Sequence, residues 1–147
     1  MGFNIRIANA TVVQTENGYL SFKVPRIDRD DDVPFSLGIW GSNEIIPTYG
    51  FWQDFCVDLG IADLFYYELE SKGLGCHQYP GVLAITEEVI TKLKTALEDY
   101  QKRYPDIEIK DELTTDLTRT YLHGLRWLIY WSERAFKSGP LPGISLS

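Results

Sequence analysis

The sequence predicts an α+β fold: an N-terminal β-hairpin or small antiparallel sheet packed with a mainly helical C-terminal half. Three observations predict it. Asn17-Gly18 sits between two apolar-alternating segments, and both residues tolerate the positive φ of a tight hairpin turn. Two later stretches, about residues 86–104 and 112–137, place apolar residues three and four apart. Between these regions lie glycine- and proline-punctuated segments with neither period.

In the hairpin, a two-residue turn would set Val13 against Phe22 and would leave Ser21 and Lys23 on the opposite face. Ile5 and Ile7 alternate with polar neighbours and predict a third strand. Residues 25–35 hold four aspartates and two arginines between prolines and read as a solvated loop. One short strand is expected near Ile39. Trp52, Phe55, Cys56 and Leu59 follow helical spacing up to Gly60, and Leu64, Phe65 and Glu68 suggest a second helix to about Ser71. Residues 73–85 read as a structured loop.

The helix of 86–104 has Thr86 as N-cap, Glu87 and Glu88 at the positive end of its dipole, and Pro105 as its stop. Lys94 with Glu98, and Asp99 with Arg103, are spaced to pair on its exposed side. The last helix begins between 111 and 115 and would be roughly 35 Å long at 1.5 Å per residue. Gly124 within it predicts a groove for a close neighbour, for which the 86–104 helix is the candidate. Residues 1–138 are read as one globular domain and 139–147, which lack periodicity, as a flexible tail.

Composition narrows the function classes. The chain has 147 residues and a net charge of -7, split as -9 over residues 1–112 and +2 over 113–147. An acidic body disfavours nucleic-acid backbones. Two cysteines make no disulfide framework, no secretory signal is visible, and no apolar run spans a membrane. A cytoplasmic protein without cofactor or metal is the expectation. Cys56, Cys76, His77 and His123 lack the spacing of a zinc site, because Cys76 and His77 are adjacent and no C-x-x-C pair exists. No Cys-His signature, phosphate loop, nucleophile elbow or EF-hand loop occurs, so binding is favoured over catalysis.

The last helix supplies the binding candidates. One broad arc is apolar, and the other recurs as Arg119, His123, Arg126, Trp127, Tyr130 and Arg134. Arg, Trp and Tyr are enriched at binding hot spots. The first functional expectation is docking of a protein partner, or of a second copy, on this stripe. Trp127 and Tyr130 would anchor it, and the acidic loop with Asp30, Asp31 and Asp32 would lie beside it. The competing structural expectation buries both rings under another layer and pairs the arginines with those aspartates. The alternative function is a ligand or enzyme site for an anionic substrate between residues 73–81 and the last helix, using His77, Tyr79, His123 and Arg126.

Overall fold

The computed structural model describes residues 2–14, 16–18, 20–34, 37, 40–69, 73–76, 81–107 and 116–147. It is an α+β arrangement of four helices and a small antiparallel sheet with two separate two-stranded ribbons. In chain order the elements are β1 (Ile5–Asn9), β2 (Thr11–Gln14), β3 (Leu20–Lys23), β4 (Glu44–Ile45), α1 (Tyr49–Asp58), α2 (Ala62–Phe65), β5 (Tyr66–Leu69), β6 (Gly73–Cys76), β7 (Gly81–Ala84), α3 (Glu87–Arg103), α4 (Leu117–Ser138) and β8 (Pro142–Leu146).

The four-stranded sheet runs β4-β1-β8-β7. Within residues 139–147, expected to be a flexible tail, Pro142–Leu146 form β8 in the sheet interior, pairing Ile144 with Ile7 on one side and with Leu83 on the other. Its period-two pattern is short but real, since Ile144 and Leu146 turn inward and are fully buried with Ile5 and Ile7. Pro142 is tolerated because it opens the strand, where its carbonyl accepts from Ile85 N–H at 3.0 Å. Gly143 is required by a close approach, as a Cβ there would stand 2.7 Å from Val82 Cγ1.

The β2–β3 ribbon forms where expected, with Gly18 at φ +83°, but its register is shifted by one residue. Val12 faces Phe22 and Gln14 faces Leu20, which excludes a two-residue turn at Asn17-Gly18. A longer connection satisfies Gly18 alone, whereas a two-residue turn needs positive φ at both central positions. β1 does not join this ribbon but pairs with β4 and β8.

Thr48 caps α1 by accepting from Phe51 N–H, and Gly60 ends the turn beyond it at φ +71°. The helix expected to reach Ser71 stops at Phe65; the adjacent tyrosines of "YYEL" continue as β5, consistent with aromatic preference for strands. Within the segment read as a loop, β6 and β7 are strands. The strand expected near Ile39 lies outside the described residues.

Thr86 caps α3 as expected, accepting from Val89 N–H. Lys94 and Arg103 pair across elements rather than along their own helix: Lys94 with Glu133 at 3.2 Å and Arg103 with Asp58 at 2.9 Å. Long side chains reach whichever carboxylate the packing brings close, and an i,i+4 pair is worth only a few tenths of a kcal/mol. Asp116 caps α4 through Thr118 N–H. The groove at Gly124 receives Phe55 of α1, not α3: a Cβ there would lie 3.0 Å from the Phe55 ring. That ring sits in an aromatic cluster with Trp52 (5.1 Å between centroids) and Tyr121 (5.4 Å).

Candidate functional site

The second face of α4 begins from a surplus of large side chains. A helix lying between two layers is apolar over more than one stripe, and the second layer here is the chain between β3 and α1. Residues 25–34 run as a strap over α4, held from below by a buried asparagine. Asn43 Nδ2 donates to the carbonyls of Ile7 (3.0 Å) and Pro25 (2.8 Å), and its Oδ1 accepts from Ile27 N–H at 2.6 Å. A polar side chain that is wholly buried survives because every one of these groups is paired. Nothing in its sequence neighbourhood marks Asn43 for this role.

Trp127 is fully buried beneath this layer, and its indole N–H donates to Ser42 O at 2.7 Å. Tyr130 is half-buried, with its hydroxyl donating to Asp32 O at 3.0 Å. Arg134 grips Asp30 through both terminal nitrogens, donates to Tyr130 Oη at 3.2 Å and lies 4.7 Å over the Trp131 ring. The Arg134 guanidinium holds the Asp30 carboxyl below the usual carboxylate range, and Asp30 in turn raises Arg134.

The stripe predicted from sequence is therefore largely a seam between layers. Trp127 is no exposed docking anchor, because it is fully buried, with Ser42 of the chain between β3 and α1 against its indole N–H. His123 is buried as well. Arg119 lies at the open end of α4, 3.8 Å from Asp116. Asp31 and Asp32 are exposed on the strap, with Asp32 joined to α4 through its carbonyl. Arg126 stands apart: half-buried, it lines a groove of about 260 Å³ with Leu37, Leu97, Ile129 and Tyr130. His77 and Tyr79 lie outside the described residues.

The structure also assembles a surface that sequence reasoning passed over. Val12, Val13 and Phe22 on the β2–β3 ribbon are exposed, Phe22 at 51%. Phe22 borders a groove of about 320 Å³ with Val82, Ala84, Pro140 and Leu141. β7 forms one edge of the sheet, and among the described residues nothing pairs with its outer side. Ile85 N–H bonds to Pro142 O, so the antiparallel alternation turns Leu83 toward β8. The N–H and C=O groups of Val82 and Ala84 then face outward. The missed signal was the shifted hairpin register, which determines which side chains line this face.

Among the described residues no group of three or more His, Cys, Asp or Glu side chains could hold a metal, and no helix is long and apolar enough to cross a membrane. Comparison with family models, curated proteins and solved structures finds no match to the chain.

Proposed function

We propose that this chain acts by binding another protein, and that the docking surface is the β2–β3 ribbon with the open edge of β7. The observation that carries this reading is the coincidence of two features in one place. Half-exposed Phe22 and Leu141 flank an apolar groove, and Val82 and Ala84, whose backbone groups face outward from β7, also line it. An extended strand of a partner satisfies both, adding main-chain hydrogen bonds to β7 while its alternate side chains enter the groove. Exposed apolar surface beside an open strand edge is otherwise a liability that folded proteins blunt with charge or a covering loop.

The test compares the wild type with a Phe22→Ser, Ala84→Pro double variant. Proline at 84 removes one outward N–H from an edge strand, where it is tolerated. Light scattering behind size exclusion reads self-association, and affinity capture from cell extract reads a different partner. A dimer that the folded variant loses, or a captured protein absent with the variant, supports the reading. A monomer with the same captured set from both proteins refutes it.

A further inference from the structure

Six of the seven arginines have a partner. Arg6 meets Glu44, Arg26 meets Asp28, Arg103 meets Asp58, Arg119 meets Asp116 and Arg134 meets Asp30, while Arg29 donates to the carbonyls of Val33 and Pro34. Arg126 is the exception. Its Nε is buried with no acceptor, and no described carboxylate forms an ion pair with it. Burial alone acts on it, lowering its pKa, and a guanidinium stays protonated regardless. A half-buried cation without a counter-ion is costly unless something supplies one.

The surroundings define what would do so. Among the described residues, the groove beside Arg126 has Pro34, Leu37, Leu97 and Ile129 as apolar walls, with Tyr130 and Glu133 beside them. Glu133, the one acid among the described lining residues, is engaged by Lys94 at 3.2 Å. Its negative charge opposes a dianion such as phosphate more than a monoanion. A volume of about 260 Å³ is several times the ~30 Å³ share of a water molecule and admits a ligand of about eight heavy atoms. We propose that this groove binds an organic monocarboxylate, its carboxylate on the Arg126 guanidinium and its apolar body against Leu37, Leu97 and Ile129. Among the described residues the groove shares no lining residue with the proposed docking face, so either reading can fail alone.

The experiment is a titration with hexanoate, followed by NMR at the methyl resonances of Leu37, Leu97 and Ile129, with acetate and inorganic phosphate as comparison probes and Arg126→Met as the variant. The expected result is saturable hexanoate binding with Kd on the order of 1 mM, in keeping with the ligand's size. Acetate, with the charge but no body, binds at least about tenfold more weakly because several buried methylenes are missing. Phosphate does not saturate, and Arg126→Met, which keeps the stem and removes the charge, abolishes the hexanoate response. Absence of a saturable hexanoate shift overturns the proposal. So does equal binding of acetate or phosphate, or unchanged binding by a folded Arg126→Met. Should that variant fail to fold, the ranking of the three probes on the wild type decides the matter.

Discussion

Trp127 on α4 and Phe22 on β3 are both large aromatic side chains set among polar neighbours, yet Trp127 has no exposed surface and Phe22 keeps 51% of its own. The difference lies in what each element packs between. α4 lies between the sheet, where Ile5, Ile7, Ile144 and Leu146 face inward, and the chain between β3 and α1, which meets its second arc at Trp127, Tyr130 and Arg134. The β2–β3 ribbon has no strand partner beyond itself among the described residues, and β2 is exposed along its whole length. An aromatic and arginine stripe on a helix thus marks a layer joint here, while the more ordinary-looking hairpin presents the apolar surface.

The sharpest way to break this contrast is to truncate the two rings. Trp127→Ala removes a buried indole and leaves Ser42 O without its donor, which should cost about 3–5 kcal/mol in urea denaturation. Phe22→Ala should fall within about 0.5 kcal/mol, as surface substitutions do. Comparable losses for both would mean that the ribbon is core. Next in size is Asn43→Ala, which strands the Ile7 and Pro25 carbonyls and the Ile27 N–H; a loss of about 2–4 kcal/mol is expected. A near-neutral result would show that the strap is held without it.

Gly124→Ala sharpens the packing of α1 on α4. Better helix propensity gains about 1 kcal/mol, and crowding against Phe55 at 3.0 Å costs about 1–3 kcal/mol, so the net effect is destabilising by about 1 kcal/mol. The smallest effect belongs to the Arg134–Asp30 pair at the seam's outer edge. Asp30 titrates lower in the folded chain than in the unfolded one. Its contribution is therefore complete above about pH 4 and is lost as pH falls through the folded value. The stability difference between wild type and Asp30→Asn should shrink on acidification; a difference that grows toward low pH would reverse the sign of this coupling.

Where local chemistry decides structure, the sequence was informative. Thr86 and the helix it caps and the end of α1 at Gly60 were readable from spacing and residue type, while the Arg134–Asp30 pair realises one of two competing expectations, which left the choice among Asp30, Asp31 and Asp32 open. What escaped was set by contacts distant in the chain. β8 is five residues long and gains its place only by fitting between β1 and β7. Asn43 is defined by acceptors on β1 and the strap. Arg126 was among the stripe residues, but nothing local distinguishes it from Arg134; only the fold provides a carboxylate for one and not the other.

The most direct measurement is hydroxyl-radical footprinting of the native protein with residue-level mass spectrometry. The account predicts rapid labelling of Phe22 and Leu141, with Trp127 and Trp131 protected until the chain is unfolded in denaturant. Native labelling of Trp127 as fast as that of Phe22 would contradict it, because the strap would then not cover α4, and the aromatic stripe would return as the exposed face.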